Sequence, residues 1–238
     1  MSQRNLVVCP SRKRPDKFEK MYKSFLNTSL MSDLVLCLDN DDPTLPQYLA
    51  IIERYTVMSK KTSITVVVDI DLRMTITQRL NNVGANVDGY SYISVTNDDF
   101  VYITGGWDVS LISEIKLHGK YGIAYGNDLL ARVNLPTSWV VSIEIVKALG
   151  WLQLPGLIGL CGDCAWAHIG KKLGILYYRD DIIIKHEHVF AGDIIQDEIF
   201  KETNAKERYQ HDNKVLGDWI VGKAKEDIEK VANLIYNI

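Results

Sequence analysis

The chain has 238 residues, of which 47% are hydrophobic and 24% charged, with a net charge of −3. That composition supplies a sizeable core for one large or two small domains. The charge gives no bulk bias toward nucleic acid or membranes, although Arg12-Lys13-Arg14 is a candidate local basic patch. No apolar run approaches the length that spans a bilayer and the N-terminus carries no signal-peptide pattern, so a soluble, cytoplasmic, reduced protein is expected.

Asn5–Cys9 reads as a short buried strand, broken at Pro10. Asp16 then caps a helix through about Thr28 whose apolar face holds Phe18, Met21, Tyr22 and Phe25. Asp33–Leu38 is a second strand, ended by Asp39-Asn40-Asp41-Asp42-Pro43, and a helix follows near 45–55. Ser63–Val68 is a third strand and Thr75 to about Val87 a helix, with a turn at Asp88-Gly89. Tyr90–Thr96 is a fourth strand, followed by an acidic loop and a helix near 109–117. This alternation predicts an α/β fold with a mostly parallel, doubly wound central sheet flanked by helices.

The second half is less regular. Short strands are expected at 122–125, 135–142, 175–178 and 182–185, with helices at 143–149 and 163–173. From about Ile194 onward the chain reads as mainly helical. The expected organisation is a catalytic unit over residues 1–190 with a helical C-terminal extension over 191–238 packed on it. Cys9 and Cys37 fall inside apolar strands, where free cysteine behaves as a small hydrophobe. Cys161-Gly162-Asp163-Cys164 has redox or zinc spacing. No second such pair accompanies it, which excludes a four-cysteine zinc site and argues against a redox role.

Chemistry-bearing residues gather at predicted strand ends, where open α/β sheets bind ligands. Asn97-Asp98-Asp99 follows the fourth strand and reads either as an acidic turn or as hard oxygen ligands for Mg²⁺ or Mn²⁺ shared with substrate phosphates. Pro10-Ser11-Arg12-Lys13-Arg14 offers a hydroxyl, backbone donors and guanidinium groups to a diphosphate, or forms a solvated basic turn. It is not Gly-rich, so neither a Walker nor a dinucleotide fingerprint is present. Asp39 sits where a carboxylate can accept from a base or ribose. Arg79 and Asn82 share a helix face. Asp163 either caps its helix or serves as a general base. His186 and His188 alternate at a strand end, where one can join a metal site with Asp99.

The order and spacing of these residues resemble the GT-A-fold nucleotide-sugar glycosyltransferases, family 2-like. The resemblance runs from Val7–Arg12 through Asp39, Arg79–Asn82, Asn97–Asp99, Gly105–Trp107 and Gly162–Trp166 to His186. It implies a metal-dependent transfer of a sugar from a nucleoside-diphosphate sugar to an acceptor hydroxyl, with Mn²⁺ or Mg²⁺ as cofactor. Pro10, Ser11, Arg12, Arg14, Asp39, Arg79, Asn82, Asn97 and Asp98 would bind the donor. Asp99 and His186 would hold the metal, and Asp163 would be the catalytic base, which inverts the anomeric centre. The acceptor is left open among glycan, protein, small molecule and modified DNA. Asn97 replaces the first acid of the family's Asp-x-Asp motif, and the Gln-x-x-Arg-Trp segment of processive synthases is absent. A nucleotidyltransferase of related fold and a non-catalytic nucleotide-sugar-binding module are the alternatives.

Overall fold

A computed structural model describes residues 4–58, 65–187 and 197–236. The strands are β1 (Asn5–Pro10), β2 (Ser32–Asp39), β3 (Val66–Asp71), β4 (Tyr92–Val95), β5 (Phe100–Tyr102), β6 (Ile123–Asn127), β7 (Trp139–Ser142) and β8 (Leu176–His186). The helices are α1 (Pro15–Thr28), α2 (Leu45–Met58), α3 (Ile76–Ala85), α4 (Trp107–His118), α5 (Ile143–Leu149), α6 (Gly162–Leu173), α7 (Glu198–Thr203), α8 (Lys206–Val221) and α9 (Ala224–Tyr236). The strands form one sheet in the order β3-β2-β1-β4-β7-β6-β8-β5.

Half of this sheet is the expected parallel one. β3, β2, β1 and β4 are parallel neighbours, built from consecutive strand–helix–strand units. β7 then runs antiparallel to both β4 and β6, and β5 antiparallel to β8, while β6 and β8 pair in parallel. The sheet is therefore mixed, and "mostly parallel" describes its first half. β1 to β3 build outward in one direction and β4 joins the other side of β1, so the strand order reverses between β1 and β4. Ligand crevices in open α/β sheets form at such a reversal.

Period-2 alternation sorts the core into two layers. Leu6 and Val8 of β1 face a cluster with Leu80, Ile145, Trp151, Trp166 and Trp219. Val7 and Cys9 face the other cluster, with Phe18, Phe25, Tyr48, Trp107 and Leu111. Trp219 and Val231 place α8 and α9 in the first layer, where α9 packs on α5 and α6. Trp166 is fully buried and its Nε1 donates to the Leu152 carbonyl at 3.0 Å. That bond ties α6 to the loop before it.

Several boundaries moved for local reasons. Asp16 lies in the first turn of α1, whose cap position is Arg14, followed by Pro15 at N1, where its missing N–H costs nothing. Thr75 caps α3 instead, in a reciprocal capping box with Gln78. β3 begins at Val66; Ser63 and Ile64 of the expected strand lie outside the described residues, as do His188 and Ile194. Phe100–Tyr102, expected as loop, is a strand paired with Ile184–His186. The two short strands expected at 175–178 and 182–185 are one, β8, with a register shift opposite Gly126 and Asn127. Gly126 is required there, because a Cβ would meet the Ile182 carbonyl oxygen at 2.5 Å. Among the described residues, no helix is long and apolar enough to cross a membrane.

Candidate active site

The carboxyl ends of β1, β2 and β4, the loop into α6, the end of β8 and the α7 segment surround one cavity of about 330 Å³. Every residue that the resemblance assigns to donor, metal or catalysis lines it except Asn82. Asn82 is exposed on α3 with its amide 3.5 Å from the Met74 sulfur. Its neighbour Asn81 turns inward, accepting from the Leu152 and Gln153 N–H groups at 2.8 Å each, and so fixes the loop that carries Gln153 into the cavity wall.

The β1 end is a tight polar knot. Ser11 Oγ donates to Asp98 Oδ2 at 2.6 Å and lies 2.8 Å from the Tyr48 hydroxyl. That hydroxyl also accepts from the Arg14 N–H at 2.9 Å. Arg12 bonds Asp39 Oδ2 at 2.9 Å and forks onto the exposed Asp41. Arg79 is buried, donating to the Leu38 carbonyl at 3.1 Å and to Asp69 at 3.3 Å, and lies 3.5 Å from Asp39. Asp39 is thus held between two guanidinium groups at the end of β2, which fixes its orientation at the cavity rim.

Asp98 and Asp99 occupy different environments. Burial pushes the Asp98 carboxyl up to about 6, with Asp99 adding to the rise and Arg14 and Ser11 opposing it. Burial acts on Asp99 in the same direction, but His186, Arg14 and Lys17 outweigh it and hold that carboxyl below its usual range. Asp99 Oδ1 lies 3.4 Å from His186 Nε2, and it is buried with no hydrogen-bond partner. The His186 ring stacks on Phe100 at 4.5 Å, and the register of β5 on β8 puts Phe100 opposite His186. The unexpected strand β5 therefore sets the Asp99–His186 geometry.

A divalent cation fits these two groups. A carboxylate oxygen and an imidazole nitrogen suit Mn²⁺, and an ion shared with phosphates needs few protein ligands. Among the described residues, no group of three or more His, Cys, Asp or Glu side chains could hold a metal ion alone. Phosphate oxygens and water would complete the coordination.

Asp163 lies in the first turn of α6 but does not cap it. The cap position is Cys161, in the left-handed conformation with φ 63°, and it makes no side-chain cap bond. Asp163 Oδ1 instead accepts from the next N–H, of Cys164, at 2.8 Å. Burial raises its carboxyl pKa against the Cys164 backbone and thiol bonds and the charge of His186. A Cβ at Gly162 would sit 2.0 Å from the Gln153 side-chain oxygen, so a larger residue there would displace that amide from the cavity wall. The loop before it is pinned by Asp212 of α8, which accepts from the N–H groups of Ile158, Gly159 and Leu160 at 2.8, 3.0 and 2.7 Å.

Sequence reasoning missed the contribution of the C-terminal helices. Phe200 and Asn204 from the α7 segment and Arg208 from α8 line the cavity. Asp197 caps α7, accepting from the Phe200 N–H at 2.7 Å, and pairs with Arg14 at 2.6 Å and Lys17 at 3.1 Å. An Asp before Glu198 is a readable N-cap signal, but it falls in a segment read only as helical extension.

This strand order, with the acidic loop at its reversal, is the GT-A-type fold of nucleotide-sugar glycosyltransferases. No family model and no curated protein sequence matches the chain. Among solved structures it is similar to the mannosyltransferase PcManGT from Pyrobaculum calidifontis in complex with GDP-Man and Mn²⁺, with a TM-score of 0.66 at 14% identity. That match covers 97% of this chain and 69% of PcManGT. Glucosyl-3-phosphoglycerate synthase from Mycobacterium tuberculosis, in complex with Mn²⁺, UDP and phosphoglyceric acid, matches with a TM-score of 0.57 at 15% identity, over 90% of this chain and 77% of that one. S. aureus TarS matches with a TM-score of 0.59 at 11% identity, and the chain spans only 43% of it.

Proposed function

We propose that the protein is a metal-dependent glycosyltransferase that moves a sugar from a nucleoside-diphosphate sugar to an acceptor hydroxyl. The observation that carries this is the convergence of Asp99, His186 and Asp163 in one cavity with the Ser11–Arg14 loop, at the strand reversal of a GT-A-type sheet. Asp39, held by Arg12 and Arg79, offers its carboxylate to the nucleoside. Arg12 and Arg14 stand beside the diphosphate, and a guanidinium recognises phosphate through paired hydrogen bonds. Asp99 and His186 would hold Mn²⁺ or Mg²⁺, which supplies charge neutralisation on the departing diphosphate.

Asp163 takes the acceptor proton as the hydroxyl oxygen attacks the anomeric carbon. Its raised pKa makes it a stronger base than an exposed aspartate, and the Cys164 N–H keeps it oriented. One displacement inverts the anomeric configuration; NMR of the first-formed product reads it, and retention would remove Asp163 as base of a single displacement. Arg208 and Asn204 lie on the wall formed by the C-terminal helices, where they favour a polar acceptor. The four free cysteines agree with a cytoplasmic setting.

The test is calorimetric titration of UDP, GDP and their sugars with and without Mn²⁺, on the full chain and on Asp99→Ala. Binding that needs the ion and is lost in the variant is expected. Equal affinity in the presence of a chelator would overturn the reading.

A further inference from the structure

One stripe of α8 follows the loop that leads into α6. Trp219, Val215 and Asp212 share that stripe, at the spacing by which a helix packs on a core. Trp219 is buried in the first layer, and Val215 packs against the same cluster. A Cβ on Gly156 would meet Val215 at 3.3 Å. One turn earlier, Asp212 accepts from the N–H groups of Ile158, Gly159 and Leu160. The stripe thus advances along the loop in the direction of Asp163. Arg208 is its next member, four residues before Asp212 and on the same face. There the stripe leaves the core, and the half-buried Arg208 side chain lines the cavity.

Among the described residues, five arginines line this cavity: Arg12, Arg14, Arg73, Arg79 and Arg208. The first four each pair with a carboxylate. The Arg208 guanidinium has no ion pair or hydrogen bond among the described residues, with Asp163 or any other acid. A half-buried cation gives up part of its hydration, and an anion in the cavity restores what is lost.

We propose that Arg208 binds an anionic oxygen group, a phosphate or a carboxylate, carried by the acceptor beside its reacting hydroxyl. The inference rests on the transferase reading, which brings that hydroxyl to Asp163. A guanidinium presents paired donors in the plane that either group accepts. It also offsets the repulsion between the acceptor anion and the Asp163 carboxylate in a partly desolvated site. The donor diphosphate has other partners. Arg12, Arg14, Asp99 and His186 lie at the ends of β1, β4 and β8, whereas α8 is tied through Asp212 to the α6 loop. Arg208 is therefore an acceptor-binding residue that selects anionic over neutral acceptors.

The experiment records the arginine Nε–Hε NMR signals of the ¹⁵N-labelled full chain, with Arg208→Lys identifying the Arg208 signal. Inorganic phosphate, acetate and chloride are added in separate titrations at equal ionic strength, with Mg²⁺ and UDP or GDP already present. A saturable shift of the Arg208 signal with phosphate or acetate, and none with chloride, is expected; the tighter anion names the acceptor group. Followed on the backbone amides of Gly159 and Gly162, affinity for that anion should fall about tenfold in Arg208→Gln and recover in part in Arg208→Lys. Both variants should keep the wild-type urea midpoint. The absence of a saturable shift at Arg208, or an unchanged affinity in Arg208→Gln, would overturn the proposal. So would a shift of Arg208 by nucleotide and Mg²⁺ alone with no further response to either anion, which assigns it to the donor. A response of Arg208 to phosphate or acetate, with no cavity signal moved by either nucleotide, would support the anion site and count against the transferase reading.

Discussion

Replacing Asp212 separates the support of the α6 loop from its chemistry. Its carboxylate is buried and accepts three backbone N–H bonds, from Ile158, Gly159 and Leu160, besides lying 3.0 Å from His211 Nδ1. A hydrogen bond to a charged group contributes about 1.5–3 kcal/mol, so three at the low end give about 4.5 kcal/mol. The three donors are only half-buried, so water recovers part of this in the variant. Asp212→Ala should therefore cost about 3 kcal/mol, and Asp212→Asn, which keeps one acceptor oxygen, about half as much. For a chain of this size that is a fall in Tm of about 6–12 °C. Burial raises the Asp212 pKa, but His211 and the backbone donors outweigh it, so the folded value is lowered. Its stabilisation is thus present above the unfolded value of about 3.9 and lost as pH falls through the folded one. Urea unfolding of the three proteins at pH 7 and pH 3 reads both effects. A loss below about 1 kcal/mol for Asp212→Ala, or equal losses for Ala and Asn, would refute the reasoning.

Other perturbations address the site and the core. Asp163→Asn should bind donor and Mn²⁺ as before while transfer falls by about 10²–10⁴-fold; near-normal transfer would exclude it as base. Asp98→Asn should match the wild type in stability near pH 4 and exceed it progressively toward pH 6. The folded Asp98 carboxyl is raised to about 6, so it binds its proton more tightly than the unfolded chain does, and that stabilisation is lost as pH rises. A difference independent of pH in chemical denaturation would contradict it. Trp166→Ala should cost about 3–5 kcal/mol, because it empties a fully buried site between Trp139 and Trp151 and orphans the Leu152 carbonyl. Retention of the wild-type urea midpoint would show that this layer does not hold α6.

The parallel half of the sheet was legible because each strand is a short apolar run followed by an amphipathic helix, as in Leu6–Cys9 and Phe18–Phe25. The antiparallel half was not, because pairing partners are chosen by tertiary packing. Phe100–Tyr102 is three residues long and follows two acids, so it read as loop, yet pairing with β8 makes it a strand. At the site, residues attached to strand ends were found because local sequence puts Ser11, Asp39 and Asp99 there. Asn82 falls outside the cavity lining for a different reason. Its spacing from Arg79 describes a helix face, but a face is broad enough for Arg79 to be buried while Asn82 stays in water. Phe200, Asn204 and Arg208 had no local signal, since their approach to the cavity depends on how the last helices pack.

The pairing of β5 with β8 joins Asp99 to His186 across the second half of the sheet-forming chain. Such a pairing is a long-range contact, and its loop-closure entropy is repaid only after the intervening strands have assembled. Any cation affinity of the proposed Asp99–His186 site would therefore be acquired late in folding: a nascent or misassembled chain carries Asp99 without its imidazole partner. An ion that recognises only the finished arrangement stabilises that state alone. If Asp99 and its partner His186 hold the ion as proposed, Mn²⁺ would report completed topology, and the rate at which a refolding chain gains metal affinity would measure the docking of its last strand.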